Sequence, residues 1–132
     1  LTLSGIIPEK PVDWEELNAQ DVEHQHEILN NNEIVAHFDS LHKGDWKSLL
    51  KMTQDKNWYP FEETGDLSML EMPVLFIVGE GNKIETKGAL LYPQMNDKIH
   101  VSIIPFAGHN VHLEQPEIYI KIVDKYLKKV ND

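Results

Sequence analysis

The chain has 132 residues, with 22 Asp and Glu against 12 Lys, a net charge of −10, no Arg and no Cys. A partner bound through a phosphate backbone needs clustered positive charge, often as Arg forks, so a nucleic-acid function is excluded as an expectation; without cysteine, disulfides and thiol catalysis are excluded within these residues. The 41% hydrophobic content is enough for one modest domain with a real core, and no apolar run approaches the roughly 20 residues of a membrane helix.

In chain order, residues 1–7 (Leu1-Thr2-Leu3-Ser4-Gly5-Ile6-Ile7) read as an apolar strand. Its composition predicts an internal strand with parallel neighbours and a largely buried Leu3. An apolar start at Leu rather than Met, with no signal peptide, points to a processed or cut chain. Pro8 and Pro11 end the strand. Residues 13 to about 59 read as mostly amphipathic helix. Asp13 and Glu16 have capping-box spacing, and Leu17, Val22, Ile28 and Leu29 form an apolar stripe. The Asn30-Asn31-Asn32 run breaks it. A second helix runs from Glu33, with Ile34, Val35, Phe38 and Leu41 on one face. Lys43-Gly44-Asp45 is a turn, and Asp45 can cap a helix carrying Trp46, Leu49, Leu50 and Met52. Residues 57–66, with Trp58, Tyr59 and Phe61, read as a loop.

The texture then changes. Pro73-Val74-Leu75-Phe76-Ile77-Val78-Gly79 is a continuous β-prone run without alternation, the pattern of a strand buried on both faces. A short helix from Thr86 to Met95 follows, then a strand over residues 99–105. Pro116 opens a last helix, with Tyr119, Ile122, Val123, Tyr126, Leu127 and Val130 on its buried face and Lys125, Lys128 and Lys129 near its C-terminus, where positive charge is favourable. Strand, helix, strand, helix predicts a parallel pair.

Between the last strand and the last helix lies Phe106-Ala107-Gly108-His109-Asn110-Val111-His112-Leu113-Glu114-Gln115-Pro116-Glu117. A histidine in a glycine turn, held between a strand and a helix, suits a general base, because imidazole exchanges protons near neutrality. The alternative for His109 is a turn histidine that only hydrogen-bonds a backbone carbonyl. His112 and Glu114 beside it could suggest zinc ligands; the favoured reading is that His112 helps shape the loop, and no metal is expected. His24 and His26 point to different sides of a helix, and His37 and His42 have no partner at ligand spacing.

The ordered set from Met72 to Glu80, then Ile104 to His109, then His112-Leu113-Glu114-Gln115-Pro116-Glu117, resembles the C-terminal third of the α/β-hydrolase superfamily. The resemblance implies an α/β fold: residues 1–7 the core strand before a cap, 8–68 a helical cap, and 69–132 the C-terminal core with its histidine loop. It further implies a nucleophile, an acid and a histidine in that chain order. Ser4, Ser40, Ser48, Ser68 and Ser102 all lack a Gly-x-Ser-x-Gly frame, so nucleophile and oxyanion hole are expected upstream of Leu1. His109 matches the family's base. At the family's acid position, after Gly79-Glu80-Gly81, stands Asn82, which can orient an imidazole but cannot stabilise imidazolium as a carboxylate does. Asn82 comes first by position and Glu85 second; Glu80 is a further alternative, as are Glu9 and Asp13 if the acid has moved to the end of the earlier strand, and a fourth reading is an introduced Asn82 or an inactive homologue.

The expected function is hydrolysis of an ester or similar bond by a full-length parent, with this chain alone inactive. A non-catalytic ligand-binding homologue on the same fold is the alternative. Trp46, Trp58, Tyr59 and Phe61 would favour a hydrophobic small-molecule substrate if they line a pocket rather than a cap core. No cofactor is implied. A three-stranded remnant sheet should expose apolar surface, so the expected partner is the N-terminal half, or a homodimeric or swapped copy, with no nucleic acid and no membrane, in the cytoplasm.

Overall fold

The computed structural model describes residues 1–131. The elements run β1 (Thr2–Leu3), α1 (Trp14–Asn30), α2 (Asn32–Leu41), α3 (Trp46–Met52), α4 (Phe61–Gly65), β2 (Val74–Gly79), α5 (Thr86–Met95), β3 (Ile99–Ile104), α6 (Val111–Glu114) and α7 (Pro116–Asn131). They form two compact units: Leu1–Lys10 with the residues from Phe61 onward, and Pro11–Pro60.

The first unit is built on a parallel sheet of order β1-β2-β3. β2 is central, and all six of its residues are buried. Alternation along the strand sends them to two cores. Val74, Phe76 and Val78 pack with Leu67, Ala89, Tyr92 and Ile99 on the α5 face. Leu75 and Ile77 pack with Ile104, Ala107, Val111 and Tyr126 on the α7 face. A strand covered on both faces needs the continuous apolar run seen in the sequence. β3 is paired on one side only among the described residues, and its Val101 and Ile103 are largely exposed. Tyr92 closes the α5 face: its ring meets Phe76 edge-on at 4.9 Å, and its hydroxyl donates to the Thr64 carbonyl at 2.8 Å.

The second unit packs α1 against its own C-terminal segment. Trp14 is buried against Trp58 and Tyr59, at 6.4 and 5.7 Å between ring centroids. Its indole N–H donates to the Lys56 carbonyl at 2.7 Å, and Asn18 reaches the Thr53 carbonyl at 3.2 Å. Asn31 breaks the long helical stretch by capping α2, its side chain accepting from the N–H groups of Glu33 and Ile34. Asp45 caps α3 by accepting from Ser48.

Several sequence expectations are corrected. The first strand spans Thr2–Leu3 rather than residues 1–7, because Gly5 takes φ +72°, which turns extended backbone aside. Leu3 is half-buried, and β1 pairs only with β2 among the described residues. Asp13 precedes α1 without a side-chain cap bond, so there is no capping box. The stretch 57–66 contains α4, too short to show a helical period. Leu127 is 47% exposed; it falls one residue off the 119, 122, 123, 126, 130 stripe that faces the sheet.

Candidate active site

The C-terminal ends of the three parallel strands converge on His109. In open α/β sheets these ends are where sites form. Behind β1, Gly5 lies against the imidazole: a Cβ there would stand 3.1 Å from His109 Cε1. The β2 exit and the histidine loop run backbone against backbone. Gly81 N–H donates to the Ala107 carbonyl at 2.9 Å, and Glu80 N–H to the Ile104 carbonyl at 3.0 Å. Gly79 has no room for any side chain, since a Cβ would fall 2.2 Å from the Gly108 oxygen.

Two carboxylates hold the loop. Glu80 Oε1 accepts from Phe106 N–H at 2.8 Å, fastening a non-glycine residue at φ 57°, a left-handed conformation that needs outside support. Glu114 accepts from Gly108 N–H at 2.9 Å with Oε2 and from Asn110 N–H at 3.1 Å with Oε1. His109 therefore sits between two anchored peptide groups, and α6 and α7 follow at once.

The imidazole meets a carboxylate: His109 Nδ1 lies 2.5 Å from Glu85 Oε1. The two differ in setting, with the imidazole 61% exposed and the Glu85 side chain 3% exposed. Burial pushes the Glu85 carboxyl above the ordinary carboxylate range, against the opposing pull of the His109 hydrogen bond and charge. Asn82 contacts Glu85 rather than His109. Its Nδ2 donates to Glu85 Oε1 at 2.7 Å, and its Oδ1 accepts from Glu85 N–H at 3.2 Å. Glu85 Oε2 is buried without a hydrogen-bond partner.

The other sequence candidates lie elsewhere. Glu80 serves the Phe106 backbone. Glu9 forms an exposed pair with Lys87 at 3.8 Å. Asp13 belongs to the Pro11–Pro60 unit, where its carbonyl receives the Glu16 and Leu17 N–H groups. His112 packs its ring near Tyr119 at 6.1 Å. No group of three or more metal-ligating side chains forms among the described residues. His24 and His26 are exposed; His37 and His42 both lie against Phe38. Trp46 lies tilted against Phe38, 5.0 Å between ring centroids, and donates to Asp39 at 2.8 Å. Sequence reasoning missed the Glu114 clamp and the Gly5 contact. The first had a signal, a carboxylate five residues after the histidine; the second had none.

No protein-family model matches the chain. A Bacillus subtilis (strain 168) protein, provisionally named 2-succinyl-6-hydroxy-2,4-cyclohexadiene-1-carboxylate synthase, is 31% identical over 85 residues, 59% of this chain and 26% of that protein. Among solved structures, NosK from Streptomyces actuosus superposes with a TM-score of 0.76 at 19% identity, over 100% of this chain and 59% of NosK. A thermophilic esterase gives 0.61 at 22% identity, over 98% of this chain and 56% of its own. MGS-M2, an α/β-hydrolase enzyme from a deep-sea metagenome library of the Medee basin, gives 0.58 at 14% identity, over 96% and 55%. The chain spans about a quarter of the curated relative and under three fifths of these structures. With its parallel sheet, flanking helices and full coverage by these neighbours, the chain has the α/β-hydrolase fold, of which it represents the C-terminal part.

Proposed function

We propose that the chain is the base-carrying part of an α/β-hydrolase enzyme that cleaves an ester or similar bond in a small molecule, in the cytoplasm. His109 is the general base, Glu85 the acid that orients it, and residues 8–68 form the cap. The observation that carries this reading is the 2.5 Å contact between His109 Nδ1 and buried Glu85 Oε1 at the ends of β2 and β3. The five serines lack an elbow frame, so the nucleophile and oxyanion donors come from an N-terminal half of the same protein.

In this reading His109 Nε2, which has no hydrogen-bond partner among the described residues, removes the proton of a nucleophilic hydroxyl. The oxygen attacks the acyl carbon, and the imidazolium returns the proton to the leaving group as the acyl bond breaks. Water then repeats the sequence against the acyl-enzyme. Glu85 stabilises the imidazolium while it lasts.

The test is hydrolysis of p-nitrophenyl acetate by the full-length parent. His109→Ala should cut kcat by about 10³-fold or more, as losses of triad members do, and Glu85→Gln should also lower it. Residues 1–132 alone should give background turnover. A His109→Ala parent at the wild-type rate would sink the proposal, as would His109-dependent turnover by the isolated chain. An upstream elbow with Gly or Ala at the nucleophile position would favour the ligand-binding homologue instead. The 31% match to the Bacillus protein supports a second reading, a synthase that forms a cyclic carboxylate through the same base; testing the parent for formation of such a product separates the two.

A further inference from the structure

We propose that Asn82 is a positioning residue that fixes which nitrogen of His109 carries the proton. This deepens the function proposed above and rests on it. The backbone N–H of Glu85 can only donate, and it points at the Asn82 side chain at 3.2 Å. The amide must therefore turn its oxygen to that N–H, which leaves its nitrogen facing Glu85 Oε1 at 2.7 Å. An amide nitrogen can only donate, so Oε1 is an acceptor in this bond. A proton on the Glu85 carboxyl would then reside on Oε2, which is buried without a partner. Oε1 thus also accepts from His109, across 2.5 Å, and Nδ1 must bear the hydrogen. In the neutral ring that leaves Nε2 unprotonated, ready to act as a base.

One backbone N–H thereby sets, through Asn82 and Glu85, the tautomer of a ring 24 residues further along the chain. The residue at the family's acid position does not touch the imidazole; it holds the carboxylate that does. Other charges near the site are occupied elsewhere: Lys83 donates to the Glu80 carbonyl, Lys87 pairs with Glu9, Glu80 accepts from Phe106 N–H, and Glu114 accepts from Gly108 and Asn110. His109 is the titratable side chain in contact with Glu85 among the described residues.

The arrangement distinguishes amide from carboxylate at position 82. An Asp there could still accept the Glu85 N–H, but its second oxygen would face Glu85 Oε1, and two carboxylate oxygens at that distance require a shared proton. Protonated Asp can donate to Oε1 as the amide does; ionised Asp cannot.

The experiment uses the full-length parent, with p-nitrophenyl acetate as probe and ¹⁵N-labelled histidine for NMR. Asn82→Ala should lower kcat by roughly tenfold with KM little changed, a fraction of the 10²–10⁴ that positioned acid–base catalysis contributes. Its His109 spectrum should change from a single Nδ1–H tautomer to a mixture. Asn82→Asp should be slow relative to wild type at pH 8, with the ratio of the two rates recovering as pH falls. A purely structural asparagine would not produce that recovery. An Asn82→Asp enzyme faster than wild type at every pH overturns the proposal, because a carboxylate at 82 would then serve His109 directly. So does an Asn82→Ala enzyme that keeps the wild-type tautomer. The nitrogen spectrum needs no substrate, so full turnover by His109→Ala would overturn the proposed function while the tautomer still decides the role of Asn82.

Discussion

Replacing Gly79 by Ala should pry the histidine loop from the end of β2. A Cβ on Gly79 would lie 2.2 Å from the Gly108 oxygen, 2.3 Å from the Ala107 oxygen and 2.5 Å from the Ala107 carbonyl carbon. All three are backbone atoms, so no side-chain rotation relieves the overlap, and the loop must retreat by at least about 1.2 Å to reach ordinary van der Waals separation. Overpacking of this kind costs typically 1–3 kcal/mol, and backbone on both sides argues for the upper end. The smaller conformational entropy of Ala in the unfolded chain offsets roughly 0.4–1 kcal/mol of that. A net loss of about 2 kcal/mol lowers Tm by roughly 4–8 °C in a protein of about 150–250 residues. The functional loss should be larger. Moving the loop that far stretches the His109–Glu85 contact beyond hydrogen-bonding distance, and a misplacement on that scale can cost about 10²-fold in rate. Gly44→Ala is the control, because nothing lies within 4 Å of its Cβ; its stability should stay within about 0.5 kcal/mol of wild type. Calorimetry, and p-nitrophenyl acetate kinetics on the full-length parent that the proposed function requires, make the comparison. If Gly79→Ala melts with Gly44→Ala and hydrolyses at the same rate, the backbone contact does not hold the site together.

Phe76→Ala removes a fully buried ring from the α5 face of the sheet and should destabilise by about 3–5 kcal/mol; denaturant titration showing under 1 kcal/mol would contradict the packing described. Asn31→Ala deletes the cap accepting from Glu33 and Ile34 and should cost about 1 kcal/mol, read as faster amide exchange in α2; unchanged exchange there would count against the cap. Glu85 should leave a pH signature in stability. Burial raises its folded pKa above the ordinary carboxylate value it keeps in the unfolded chain, so between the two values the folded chain binds more protons than the unfolded one. Stability from this group is greatest below the unfolded value and falls as pH rises through the raised one. The stability of wild type minus that of Glu85→Gln should decline over that window, and a flat difference would show that the carboxylate is not desolvated.

Much of the scaffold was legible in the residue order alone. A run of six apolar residues without alternation demands cover on both faces, and Val74–Gly79 became the central strand. Helical spacing placed α7, and the glycine turn between strand and helix placed His109 where strand ends converge. Those signals are local: periodicity, turn chemistry and hydrophobic run length act over a few residues. The partner of His109 was not local. Position along the chain favoured Asn82, and only the tertiary structure decided that Glu85, one helical turn later, meets the imidazole while Asn82 grips Glu85 from behind. Whether a carboxylate is dry depends on what packs over it from distant segments, and no spacing rule contains that information. The same reason hid Gly5 beneath the ring and the lack of space at Gly79. Sequence by itself determined the sheet, its covering helices and the histidine; packing between strand ends determined which oxygen the histidine holds.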